Sequence, residues 1–217
     1  MKHTFLHAAL ISAAFFVWLQ GVSAQTKTQT LPPASLRSAY GEKLHISGIP
    51  NSGKINEFLY RGAQPGEQGL PELKKLGIST IVDLRSEDPQ KAERERKQAE
   101  SLGMRFVHIP VGGWDAPTNE QVAQFLSLFG NDASQKIFVH CEFGKDRTGV
   151  FVATYRMAIE KLPAKQALEE MYAFGFNGAW HPAMKAFVRD FPARLNSAPA
   201  LAPFHDPKAP LPAPPVN

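Results

Sequence analysis

Residues 137–149 read Ile137, Phe138, Val139, His140, Cys141, Glu142, Phe143, Gly144, Lys145, Asp146, Arg147, Thr148, Gly149. The apolar β-forming residues at its start predict a buried strand, and residues 148–161 are apolar almost all round, which predicts a helix at the domain centre. A cysteine therefore stands where a strand ends, with an arginine six positions later, just before the helix. A loop of this length can turn successive backbone N–H groups inward at the positive end of a helix dipole, making an anion cradle sized for a phosphate. Gly144 permits a backbone conformation closed to other residues. Arg147 offers a planar fork that can hold two phosphate oxygens at once, a geometry that lysine lacks.

Outward from this stretch, short β-like runs alternate with helical periodicity. Candidate strands are 44–47, 57–60, 80–84, 105–109 and 136–140. After Thr118, which makes a capping box with Gln121, the residues Val122, Phe125, Leu126 and Phe129 recur at helical spacing. The same spacing joins Ala164, Ala167, Leu168 and Met171, and then Met184, Phe187, Val188 and Phe191, with Pro163 and Pro182 suited to first-turn positions. The segment 90–102 is thick with charge and keeps only Ala92, Ala99 and Leu102 for packing, which predicts a surface helix. The pattern is that of an α/β domain with a central four- to five-stranded, mostly parallel sheet flanked by helices.

The 217 residues suffice for one domain with extensions, and 43% apolar with 20% charged residues excludes a wholly disordered or fibrous chain. The net charge of +4 is scattered rather than gathered into a stripe, so nucleic acid is not an expected partner. The single cysteine excludes an intrachain disulfide framework and a cysteine-rich zinc site, and no metal or cofactor is expected. Residues 1–24 combine a basic head, an apolar run over 8–19 and small residues ending at Ala24, as in a cleaved secretory signal. The expected organisation is signal peptide 1–24, linker 25–40, catalytic domain 41–196 and a disordered Pro/Ala-rich tail 197–217. Such a protein would be secreted or periplasmic, with no stable membrane span after processing.

A helix N-terminus and a nearby cation both favour thiolate over thiol, and a thiolate is the nucleophilic form. His140, Cys141, Gly144, Arg147 and Thr148 stand as in the HCxxGxxRT signature, and the chain thereby resembles the cysteine-dependent protein tyrosine phosphatases. Residues 58–65 (FLYRGAQP) and 80–85 (TIVDLR) are similar to the compact dual-specificity branch, including its atypical bacterial, plant and fungal members. The resemblance covers about 44–191. It implies a dual-specificity phosphatase-like fold and hydrolysis of phosphomonoesters through a cysteinyl-phosphate. It also implies Cys141 as nucleophile, Arg147 as phosphate clamp, the N–H groups of 142–147 as cradle, Thr148 as the hydroxyl that eases thiolate departure, and His140 as the residue that orients the loop.

The family takes its leaving-group acid from a loop upstream of the signature. Here 111–117, with Gly112, Gly113 and Trp114, presents Asp115, and Asp146 inside the cradle is the rival. Asp83 and Arg85 are expected to pair or cap near a strand end, and Arg61 and Gln64 to serve as scaffold. Phe143 and Trp114 can wall a phosphotyrosine slot, with Trp180 and His181 at its rim. Lys145 resembles a lysine that holds additional phosphates in phosphoinositide phosphatases, but Glu142 and Asp146 offset it. The expected substrate is a phosphorylated protein. Alternatives are a phosphoinositide or inositol polyphosphate, or a catalytically weak module that only binds phosphate.

Overall fold

The computed structural model describes residues 40–129 and 135–205. The expected signal peptide, the linker up to residue 39 and the tail from 206 lie outside the described residues. Six strands form one sheet: β1 (Glu42–Lys43), β2 (Gly53–Lys54), β3 (Leu59–Ala63), β4 (Thr80–Asp83), β5 (Arg105–His108) and β6 (Ile137–Cys141), in the spatial order β1-β2-β3-β6-β4-β5. The four strands β3, β6, β4 and β5 run parallel, and the two-residue strands β1 and β2 add an antiparallel ribbon at one edge. Strands 57–60 and 44–47 of the sequence reading begin elsewhere. The Asn56 side chain accepts hydrogen bonds from the N–H groups of Phe58 and Leu59, so the chain turns there and β3 starts at Leu59. Residues 44–47 lead into a reversal at Gly48 and Asn51, both in left-handed conformation, and only an Ile46–Ile49 bridge forms.

The helices are α1 (Gly69–Lys75), α2 (Pro89–Ser101), α3 (Asn119–Ser127), α4 (Asp146–Ala158), α5 (Ala164–Ala173) and α6 (Pro182–Ser197), and a 3₁₀ turn covers Pro199–Phe204. The capping box of α3 is present in both directions, with Thr118 Oγ1 accepting from the Gln121 N–H at 3.2 Å and Gln121 Oε1 accepting from the Thr118 N–H at 2.8 Å. Arg147 to Ala158 of α4 are all buried, as the apolar pattern required. No helix among the described residues is long and apolar enough to cross a membrane.

Side chains of successive strand residues point to opposite faces, and this alternation places the chemistry. Leu59, Val82, Val107, Ile137, Val139 and Cys141 face one core cluster, built with α3, α4 and α6. Tyr60, Ile81, Phe106 and Phe138 face the other, with Leu70 and Leu73 of α1 and Ala99 of α2. Two expectations are corrected here. Helix α2 is not confined to the surface, because Glu95 is buried along with Ala92 and Ala99. The packed domain also runs past 196: Leu201 and Phe204, wholly or nearly buried, seat the 3₁₀ turn against α3 and α6. Two apolar anchors outweigh the loss of backbone donors at the prolines around them.

Candidate active site

Cys141 closes β6, and register pairs it with Ala63 of β3, while His140 pairs with Asp83 of β4. The carboxyl ends of three parallel strands thus meet, the usual place for a ligand crevice in such sheets. The thiol is free, only 3% exposed, and lines a cavity of about 710 Å³. The loop from Glu142 to Lys145 leads straight into α4. Gly144 has φ +64°, and a Cβ there would lie 2.3 Å from the Gly62 carbonyl carbon and 2.4 Å from the Ala63 nitrogen, so both conformation and space demand glycine. Lys145, the residue before α4, makes no side-chain cap. The first N–H groups of the helix are therefore open to an anion.

Arg147, in the first turn of α4, is 6% exposed and lines the same cavity. Its Nη1 donates to the Val111 carbonyl at 3.0 Å and pairs with Glu87 Oε1 at 2.7 Å. Partial burial works against the Glu87 carboxylate, but the hydrogen bond and charge of Arg147 prevail and hold it below the usual carboxylate range. Thr148 is fully buried, and its hydroxyl has no partner among the described residues.

His140 points away from the cavity. As the neighbour of Cys141 on the strand it faces the α1 and α2 side, behind the cavity wall. There its Nε2 lies 2.7 Å from Glu95 Oε1 and its Nδ1 4.0 Å from Asp83 Oδ1. Arg85 donates to both oxygens of Asp83 at 2.8 Å and to Glu95 Oε2 at 2.6 Å. Burial opposes the charged imidazole, yet Glu95 and then Asp83 outweigh it and raise the His140 pKa. Asp83, Glu95 and His140 are the one cluster among the described residues with metal-ligand donors and spacing. Arg85 already takes both oxygens of Asp83 and Oε2 of Glu95, so the cluster closes on a guanidinium.

Phe143, Trp114 and Trp180, each about two-thirds exposed, rim the cavity. Glu142, Lys145, Asp146 and His181 also line it, as do Glu87, Asp88, Lys91 and Asn177, for which the sequence held no signal. Trp114 stacks on His181 with ring centroids 4.8 Å apart. Asp146 accepts from the Asn177 N–H at 3.3 Å and faces His181 Nε2 at 3.6 Å. Asp115 is exposed and stands outside the cavity lining; its carboxylate turns back over Gly112. Gly144 and Thr148 likewise lie behind the cavity wall rather than in it. The lining carries Arg85, Lys91, Lys145 and Arg147 against Glu87, Asp88, Glu142 and Asp146. The cavity as a whole is therefore charge-balanced, with cation placed at the cradle.

The family described as DSP-PTPase phosphatase fused to NAD+ kinase matches residues 47–190. A homologue named tyrosine-protein phosphatase OCA1, from Mycosarcoma maydis, is 29% identical over 148 residues, 67% of this chain and 93% of that protein. The dual specificity protein phosphatase TpbA of Pseudomonas aeruginosa is 28% identical over 123 residues, and the match spans only about half of its length (54%) and 57% of this chain. The crystal structure of TpbA superposes with a TM-score of 0.59 at 26% identity, covering 74% of this chain and 97% of that one; a TpbA complex with pTyr superposes equally well at 25% identity. The core catalytic domain of the Saccharomyces cerevisiae PP-IP phosphatase Siw14 shares the fold, with a TM-score of 0.54 at 23% identity over 74% of this chain and 100% of that one.

Proposed function

We propose that this chain, which belongs to the DSP-PTPase phosphatase family, is a cysteine-dependent phosphomonoesterase of the tyrosine and dual-specificity type. The observation that carries the reading is a free, buried thiol on the wall of a cavity that also holds Arg147 and an uncapped helix N-terminus. In the first step Cys141 Sγ attacks phosphorus, an S–P bond forms and the ester P–O bond breaks. Arg147 and the loop N–H groups hold the non-bridging oxygens as charge shifts onto them. The electron pair of the broken bond goes to the leaving oxygen, which takes a proton from Asp115. In the second step water attacks phosphorus, the Asp115 carboxylate accepts its proton, and the sulfur leaves as thiolate, assisted by Thr148 Oγ1.

Asp115 reaches the ester through rotation about Gly112 and Gly113, which precede it. Apo geometry often leaves a catalytic acid out of position. Asp146 is the second reading for the acid, favoured by its place in the cavity. Its side chain already accepts from the Asn177 N–H and faces His181 Nε2, contacts that suit a residue ordering those two better than a proton donor. The exposed aromatics at the rim fit the side chain of a phosphotyrosine and the polypeptide around it, and a phosphorylated protein met after export is the proposed substrate. Lys91 and Lys145 favour the alternative of a phosphoinositide or inositol phosphate.

A substrate panel tests the reading. Wild type should turn over phosphotyrosine peptide and aryl phosphate, and Cys141→Ser should abolish turnover while still binding vanadate; retained turnover in Cys141→Ser would refute it. Selective loss on multiply phosphorylated substrates in Lys145→Ala would move the substrate class to inositol phosphates.

A further inference from the structure

The Gly144 carbonyl faces away from the cavity and accepts two hydrogen bonds, one from Arg61 Nη2 at 2.6 Å and one from Asn51 Nδ2 at 2.8 Å. Neither donor lines the cavity. Asn51 has left-handed backbone, φ +51°, at the reversal before β2, and its amide bridges on to the Phe174 carbonyl at 2.9 Å. Arg61 is fully buried on the same sheet face as Cys141, with its guanidinium 4.1 Å from the centre of the Phe174 ring. Its Nε and Nη1 have no hydrogen-bond partner among the described residues. A buried guanidinium that leaves donors unmade is costly to keep, and such groups call for an explanation.

The peptide between Gly144 and Lys145 is trans and planar, so its C=O and N–H point in opposite directions. A carbonyl drawn to the buried side by two donors turns the Lys145 N–H toward the cavity, where an anion would sit. Gly144 can hold the positive φ from which this unit sets out, which a Cβ would oppose. We propose that Arg61 and Asn51 are positioning residues that lock the Gly144–Lys145 peptide with its N–H aimed at the substrate phosphate. The inference rests on the phosphatase reading above and adds to it Arg61 of β3, the strand beside β6, and Asn51 of the reversal before β2. Burial lowers the Arg61 pKa to about 10, while Glu170, Cys141 and Asp146 act to raise it, so the side chain stays cationic at neutral pH and contributes positive potential beneath the cradle.

Asn51→Gly keeps the left-handed backbone and removes the amide, which makes it the variant of choice. Arg61→Met removes the charge and donor while keeping the aliphatic stem. Both are measured for kcat and KM on an aryl phosphate, for vanadate affinity on the folded fraction, and for Tm. Displacing one cradle donor should weaken vanadate and lower kcat/KM by roughly 10- to 100-fold, equally for good and poor leaving groups, since the cradle serves both. If Arg61→Met fails to fold, Asn51→Gly decides alone. Wild-type vanadate affinity and kcat/KM in Asn51→Gly, with only Tm reduced, would overturn the inference. Absence of turnover in the wild type would instead defeat the phosphatase reading, so the two failures are distinguishable.

Discussion

On one side of the cavity Cys141, Arg147 and Thr148 are each under a tenth exposed, and Gly144 is pressed against the backbone of Gly62 and Ala63. On the other side Trp114 is 67% exposed and Asp115 is exposed, tied to the domain by the Asp115 N–H to the Gly112 carbonyl and by the stack of Trp114 on His181. The first wall is fixed by burial before any ligand arrives. The second hangs on a few contacts beyond two glycines. The contrast separates two tasks: holding a phosphoryl group needs donors that do not reorganise, whereas delivering a proton to varied leaving groups tolerates a movable acid.

The largest expected break falls on the fixed wall. Arg147→Ala should lower kcat/KM by on the order of 10³-fold or more and weaken vanadate binding in parallel; a loss confined to KM on one substrate would mean that Arg147 binds rather than clamps the transition state. On the movable wall, loss of the true acid should cost about 10²- to 10⁴-fold, concentrated in esters with poor leaving groups. Asp115→Asn and Asp146→Asn compared across a leaving-group series assign the role, and a flat series for both would remove it from either.

Behind the fixed wall, Glu95→Gln should destabilise the fold by about 3 to 5 kcal/mol, the cost of breaking a buried ion pair. Because the folded pKa of His140 is raised, its contribution to stability is fully present below about pH 6.5, the ordinary histidine value, and drains away as pH rises through the folded value. Thermal unfolding of the wild type should therefore lose Tm toward alkaline pH, and Glu95→Gln should flatten or reverse that slope. An unchanged slope would mean that Glu95 does not hold the imidazole charged. The smallest effect is expected for Trp114→Ala, which removes a ring stack of about 0.5 to 1.5 kcal/mol and should raise KM a few-fold while lowering Tm by only a few degrees.

The same contrast explains what could be read from sequence. Cys141, Gly144, Arg147 and the helix after them are contiguous, so local strand, turn and helix signals place them together. The capping box at Thr118 and the buried strand before Cys141 are local in the same sense. Glu95 is hidden because a charged residue in a charge-rich helix reads as solvated; only β6 in its final register brings His140 to it, beside Arg85 at the end of β4. Glu87 and Asn51 lie 60 and 93 residues from the Arg147 and Gly144 that they hold, and no periodicity encodes such a meeting. Leu201 and Phe204 were masked by the prolines and alanines around them.

The two-step reaction requires that Cys141 itself becomes phosphorylated during turnover. Rapid acid quench of the enzyme with an aryl phosphate, followed by intact-mass and peptide mapping, tests it directly. One phosphoryl group on the peptide containing Cys141, appearing in a burst and absent from Cys141→Ser, is the predicted result; steady turnover with no adduct, or an adduct that survives in Cys141→Ser, would contradict it.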